Sequence, residues 1–292
     1  MVYSPFSRPS DVRRAVKPRG LYSHKGDFGH LLIIGGSDVY SGAPALAGMA
    51  ALRTGVGLAL IAAPREVAGT IRSYSPNLIV HSLTGSVVMG DDVNVITQLL
   101  TKADAVVLGS GIGLDPRTEK VIPEIVRITT EMNKPLLIDA DAIKAIRGRI
   151  ELLGQAGTVI TPHAGEFSFI SGMDAPSKWR ERGPICIEFA KKHSCVLLLK
   201  GHDTVITDGK RTRVNPTGNP GMATGGSGDV LSGIIGAFLA QGVDPFLAAV
   251  AGAFVHGLAG DLAHKEKGFH MIASDLIDVL PKVLKRYDRG CG

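Results

Sequence analysis

The sequence predicts an α/β domain with a mostly parallel central sheet, helices on both faces and an antiparallel hairpin at one edge. Three observations carry this. Short, unbroken apolar runs recur from His30 onward, longer helical stretches separate them, and a glycine-bearing or polar turn closes most runs. Apolar runs without alternation mark strands buried on both faces, and strands alternating with helices imply right-handed crossovers and parallel pairing.

The elements follow in order. Residues 31–34 form a strand ending in Gly35-Gly36, residues 43–54 a helix of small residues, and residues 57–62 a second strand. Residues 105–108 form a third strand, which runs into Gly109-Ser110-Gly111-Ile112-Gly113 and then a helix from about Pro116 to Glu131. Residues 135–138 end at Asp139, residues 158–161 at Pro162-His163, and residues 195–199 at Lys200-Gly201. Residues 204–215 alternate around Asp208-Gly209, a hairpin signal that adds antiparallel strands at an edge. From Val230 to about Arg289 the pattern is helical, in three pieces. No linker or repeat interrupts the chain, so residues 26–292 read as one domain preceded by an arm of residues 1–25.

Composition narrows the function. A chain of 292 residues, 45% hydrophobic, can bury a core without disulfides or structural metal. Its 37 glycines show no three-residue period, which excludes collagen and suits tight turns against ligands. The net charge of +5 resides entirely in residues 1–25, which hold six basic residues and one acid. A nucleic-acid binder spreads its basic residues over a helix or a folded face. A short solvated arm is therefore expected, with no nucleic-acid partner, and deletion of residues 1–20 is expected to spare the chemistry. Cys186, Cys195 and Cys291 lack disulfide or metal spacing and read as idle thiols of a reducing compartment. The apolar stretch 230–260 is split by Asp244-Pro245 into uncharged runs of 14 and 15 residues. Both fall short of the roughly 18 that suggest a bilayer span. The first 25 residues, basic and broken by Pro5, Pro9 and Pro18, do not resemble a signal peptide. A cytoplasmic protein without a membrane partner is expected.

In open α/β sheets ligands bind beyond the carboxyl ends of the strands, so the polar residues there carry the argument. The strongest signal is the loop from Asn219 through Gly225, Gly226 and Gly228 to Asp229, followed at once by an apolar helix. Glycines let backbone N–H groups turn toward an anion, and the helix N-terminus adds favourable partial charge. Asp229, in the first turn, either accepts a proton beside that anion or is simply an acid at a helix start. No Lys-Ser/Thr follows the glycines, so this is not a Walker loop. Thr161-Pro162-His163-Ala164-Gly165-Glu166 places His163 and Glu166 one turn apart. His163 can donate to a ligand, and Glu166 can hold a hydrated magnesium ion near phosphates or cap its helix. Lys200, Gly201, His202, Asp203 and Thr204 join a buried strand to the hairpin, and a lysine after a strand either meets phosphate or is solvated. Asp139 and Asp141 can bind a metal or cap the next helix. The loops at Gly35 and Gly109 lack the full dinucleotide fingerprint. The other histidines show no ligand spacing and read as surface or core residues.

Together these motifs resemble the NAD(P)H-hydrate dehydratases, a family of the ribokinase-like superfamily. The resemblance rests on residues 26–30 leading into Ile33-Ile34-Gly35-Gly36-Ser37, on Ser41-Gly42-Ala43-Pro44, and on the motifs at 109–113, 139–142, 161–166, 199–201 and 219–229. It runs from about Lys25 into the C-terminal helices. It implies a ribokinase-like fold and the repair of hydrated NADH or NADPH with ADP or ATP and Mg2+. By the same resemblance Ala43, Gly111 or Gly113, His163 and Asp229 would contact the hydrated dinucleotide. Lys200, Gly201, His202, Asp203, Thr204, Asn219, Gly225, Gly226 and Gly228 would contact the nucleotide, Glu166 the metal, and Asp229 would be the catalytic base. Relatives are commonly homo-oligomers, so a homotetramer is expected. Residues 1–25 are too short for the epimerase domain many relatives carry, so an epimerase is expected as a separate protein. Two positions depart from the family pattern: Ser110 stands where relatives often have proline, and Ser227 where they often have threonine. A ribokinase-like kinase of a small vitamin precursor and a non-catalytic nucleotide-binding module are the competing readings.

Overall fold

A computed structural model describes residues 5–154 and 157–289. Cys291 and the first four residues of the arm lie outside them. Nine strands form one sheet: β1 (His30–Ile34), β2 (Leu58–Ala63), β3 (Ile79–Ser82), β4 (Ala105–Leu108), β5 (Leu136–Ile138), β6 (Val159–Ile160), β7 (Val196–Leu199), β8 (Thr204–Thr207) and β9 (Thr212–Asn215). Their order is β3-β2-β1-β4-β5-β6-β7-β8-β9. The first seven strands pair in parallel, and β7, β8 and β9 are antiparallel. The helices are α1 (Pro9–Ala15), α2 (Gly42–Thr54), α3 (Arg65–Ser73), α4 (Val93–Leu100), α5 (Pro116–Glu131), α6 (Asp141–Ala145), α7 (Ala164–Ser171), α8 (Trp179–His193), α9 (Ser227–Ala240), α10 (Pro245–Lys267) and α11 (Ala273–Leu284).

The α/β class and the edge hairpin follow the sequence pattern. Consecutive strand residues face opposite sides and both sides are covered, so β1 alone feeds two cores. Leu31 and Ile33 pack with α2, α9, α10 and α11, while Leu32 and Ile34 pack with α4, α5 and α7. α10 has the length and mean hydropathy, 1.6, of a membrane span, yet 78% of that stretch is buried inside the protein. It is a core helix, and Phe246, Ala249, Val250, Ala253 and Phe254 are all buried within this chain. Cys186 and Cys195 are buried free thiols, and burial pushes both up to about 12.

The expected solvated arm does not hold for residues 5–16. Phe6 bridges to Val214 at the β9 edge, whose backbone exchanges hydrogen bonds of 2.8 and 2.9 Å with Pro5 and Ser7. α1 then lies on α10, with Val12 and Ala15 inside the core. The sequence concealed this because the stretch buries Val12 and Ala15 together with Ser7 and Asp11, too few apolar residues among too many polar ones to show a face. Val12→Ala is expected to lower stability by about 1–3 kcal/mol through the cavity it leaves, with turnover per folded molecule unchanged. A denaturation midpoint at the wild-type value would show that α1 contributes nothing to the core.

The chain runs from β1 outward to β2 and β3, then returns across to β4 on the other side of β1. At such a switch point the loops after the two central strands diverge and open a crevice. Here those loops are 35–38 and 109–113.

Candidate active site

Three strand ends and one helix start converge on this crevice. Asp139, at the end of β5, is buried, and its carboxylate takes Lys200 Nζ at 3.0 Å and Ser232 Oγ at 2.6 Å. The turn that delivers it includes Ala140 at φ 53°, a backbone state that β-carbon-bearing residues adopt at a cost of roughly 1–3 kcal/mol and that recurs at functional sites. Burial alone would push Asp139 up, but the Lys200 charge and hydrogen bonds from Ser232, Lys200 and Thr161 outweigh it and hold the carboxyl below its ordinary range. Lys200 also lies 3.9 Å from Glu166, and these two carboxylates hold the ammonium charged against burial.

The glycine loop closes over that ion pair. Gly226 caps α9 at φ 87°, and a β-carbon there would strike Leu46 at 2.5 Å, so the turn into the helix is reserved for glycine. Gly228 faces Lys200 Nζ and Asp139 Oδ2 across 3.8 and 3.9 Å, measured from the position of a β-carbon. Lys200 and the start of α9 thus form a cradle, flanked by the Asp139 and Glu166 carboxylates. Asp229 is half-buried in the first turn. Burial and the charge of Asp139 push its carboxyl up to about 6, against the opposing pull of Ser110 and Lys200. A carboxylate with that value is ionised at neutral pH and basic enough to take a proton.

Across the crevice, Gly111 sits at φ 64°, where a β-carbon would meet Tyr40 O at 2.7 Å and Ala43 at 2.9 Å. Ala43 and Gly111 are therefore neighbours, and Gly113 lies beside Ser37. His163 is exposed at the start of α7, where its Nδ1 accepts from Glu166 N–H at 3.1 Å and its own N–H donates to Glu166 Oε2 at 2.8 Å. Glu166 thus fills the capping role that the sequence left open, while its carboxylate stays beside Lys200. Among the described residues no group of three His, Cys, Asp or Glu side chains gathers to hold a metal. The Glu166 carboxylate beside that cradle does fit magnesium, which takes one or two carboxylates and keeps several of its waters.

The remaining predicted residues lie in the turn after β7 and in the loop before α9. Gly201 and Thr204 close a turn on each other, Thr204 Oγ1 donating to Gly201 O at 3.0 Å. His202 points outward and pairs with Asp203 at 3.2 Å. Asn219 is tied to Asp261 on α10 at 3.0 Å, and Gly225 faces open space. Asp141 binds Lys144 at 2.8 Å rather than Asp139's partners.

Two contributors escaped sequence reasoning. Arg182 is buried under the 200–204 turn, donating to Pro176 O at 2.8 Å and reaching Asp203 O at 3.4 Å. His256, among the histidines read as surface or core residues, is a core one: it meets Ser227 Oγ at 3.2 Å behind the glycine loop, and burial pushes it down to about 4, so it is neutral. Neither sits in a motif, and only the packing of α8 and α10 brings them in. A cavity of about 540 Å³ near Lys191, Cys195 and Asp208 lies at the opposite, amino end of β7.

The fold and this arrangement of cradle, lysine and aspartate define a ribokinase-like protein. More particularly, the family model described as NAD(P)H-hydrate dehydratase matches residues 31–282, and the chain belongs to that family. It is 42% identical to the bifunctional NAD(P)H-hydrate repair enzyme of Pyrobaculum aerophilum, over 98% of this chain and 58% of the relative. It is 36% identical to the ADP-dependent (S)-NAD(P)H-hydrate dehydratase of Cenarchaeum symbiosum, over 96% of both chains. The ADP/ATP-dependent NAD(P)H-hydrate dehydratase of Bacillus subtilis, co-crystallised with ATP and Mg2+, superposes with a TM-score of 0.82 at 28% identity, over 99% of this chain and 100% of that one. The chain spans about half the length of the bifunctional relatives it matches.

Proposed function

We propose that this protein dehydrates the S-epimer of hydrated NADH or NADPH back to the reduced dinucleotide, driven by ADP or, alternatively, ATP. The observation that carries the reading is Asp229, a half-buried carboxylate in the first turn of α9 that burial and Asp139 push up to about 6, beside Ser110 and Lys200. Membership of the dehydratase family and the names of the relatives support it.

The hydrate's hydroxyl is a poor leaving group. Asp229 takes its proton as the oxygen attacks the terminal phosphorus of the nucleotide, and the bond to the bridging oxygen breaks, releasing AMP from ADP or ADP from ATP. The cradle's N–H groups and Lys200 meet the charge that develops on the phosphoryl oxygens. The C–O bond then breaks, inorganic phosphate leaves, the ring nitrogen supplies the electron pair, and loss of a ring proton restores the reduced nicotinamide. Magnesium, held with its water by Glu166 and the phosphates, would offset phosphoryl charge when bound. We assign the dinucleotide to Ala43, Gly111, Gly113 and His163, and the nucleotide to residues 200–204 with Asn219, Gly225, Gly226 and Gly228. A cytoplasmic location and a homotetramer complete the proposal; a monomeric mass by light scattering would remove the latter.

The test is incubation with hydrated NADH and ADP or ATP. Absorbance of the reduced ring should return only with nucleotide. A stable phosphorylated product would instead identify a kinase, and absence of turnover a binding module.

A further inference from the structure

One side chain in the crevice has no use in this scheme. Ser110 is fully buried, and its hydroxyl oxygen completes no hydrogen bond among the described residues. A buried hydroxyl left unpaired is costly and calls for a reason. Its backbone is pinned: Ser110 O accepts Gly36 N–H at 2.9 Å, and the next carbonyl, Gly111 O, accepts Ser37 Oγ at 2.9 Å. The loop therefore fixes where the hydroxyl stands. α9 packs on β4 and β5, and Asp229 in its first turn lies within interaction range of Ser110 and Asp139. At that range the hydroxyl favours the charged form of Asp229 without closing a bond of full geometry.

We propose that Ser110 is a positioning residue for Asp229: in the substrate complex its hydroxyl donates to one carboxylate oxygen and leaves the other facing the substrate's hydroxyl. The inference rests on the dehydratase reading above. A carboxylate turns freely about its last bond, and a donor on one oxygen removes that freedom. The donor also offsets part of what the surroundings do to the base. Asp139 from the end of β5 repels its charge, Lys200 from the end of β7 attracts it, and Ser110 from the loop after β4 is the hydroxyl that acts with Lys200. Glu166 on α7 and His256 on α10 face Lys200 and Ser227 rather than Asp229.

The experiment is a 13C NMR titration of the Asp229 carboxyl, assigned with Asp229→Asn, in the wild type and in Ser110→Ala. A hydrogen bond of full geometry to a charged group is worth about one to two pH units, and one not yet closed gives less, so the Ser110→Ala midpoint should rise by about half to one unit. The acid limb of kcat/KM should move the same way, with the loss at pH 6 about two- to fivefold greater than at pH 8. Ser110→Cys, whose thiol is a weak donor, should fall between. An unmoved or lowered midpoint in folded Ser110→Ala overturns the proposal, as does a uniform loss across pH. The midpoint needs no turnover, so a wild type that regains no reduced nicotinamide refutes the dehydratase reading separately.

Discussion

Asp229→Asn is expected to lower turnover by about 10²–10⁴-fold, the usual loss when a general base is removed, while nucleotide still binds. Asparagine keeps the shape and a hydrogen-bonding end but cannot accept the proton. The cradle, made of backbone N–H groups at the start of α9 and of Lys200, is untouched. Loss of a negative charge beside phosphates slightly favours binding. The same substitution should stabilise the fold. The Asp229 carboxyl stands at about 6 instead of 3.8, so ionising it disfavours the folded state. That penalty is absent below about pH 4, grows between pH 4 and 6, and is complete above 6. At about 1.4 kcal/mol per pH unit it amounts to roughly 3 kcal/mol at most at pH 7. Asn carries none of it, so the variant should melt higher at pH 7 and like the wild type at pH 4. An acid serving only as a helix start would show the opposite pattern: near-normal turnover and, with Asn a good cap, little change in stability. Turnover, nucleotide affinity and melting at the two pH values, all on one folded sample, decide between them.

Lys200→Met is expected to have the largest cost to the fold. Its ammonium faces Asp139, whose side chain is only 3% exposed. Removal of one partner of a buried pair costs about 3–5 kcal/mol, because the other charge is left uncompensated. The sign with pH follows from Asp139. Its folded value is held down, so it contributes stability above its ordinary range and loses it as pH falls through the folded value. In Lys200→Met that contribution becomes a penalty at neutral pH, which fades as acid protonates the carboxyl. The deficit against wild type should therefore narrow toward pH 4, and Asp139→Asn added to Lys200→Met should recover most of it. Nucleotide affinity should fall about 10–100-fold, the value of one charge-assisted contact. Urea midpoints across pH and nucleotide titrations measure both, and an unchanged midpoint at pH 7 would show that the pair does not hold the crevice together.

Much of this was legible from residues alone, for reasons particular to each. Residues 105–108 read as a central strand because all four side chains are buried, which leaves no polar alternation to confuse the pattern. α5 begins at Pro116 as predicted, because Asp115 caps it by accepting Arg117 N–H at 2.9 Å. The hairpin follows from Asp208, which accepts two following N–H groups, and Gly209 at φ 83°. β3 was missed: it is four residues at the sheet edge, with Ile79 exposed and His81 and Ser82 interrupting the apolar run. The site was legible as a set of loops but not as a network. The Asp139–Ser232 bond spans 93 residues, and nothing near either residue announces it. Glu166 illustrates a third case, in which one spacing supports two roles, cap and metal ligand, and only geometry shows the cap.

Phosphoryl transfer to the ring hydroxyl and the elimination of phosphate that follows are proposed to be coupled one to one around Asp229. The direct measurement is inorganic phosphate and AMP formed per reduced nicotinamide regained, with the S hydrate and ADP supplied to the wild type. One phosphate and one AMP are expected for each NADH. Phosphate released without NADH, or a phosphoryl group retained on a stable product, would contradict it.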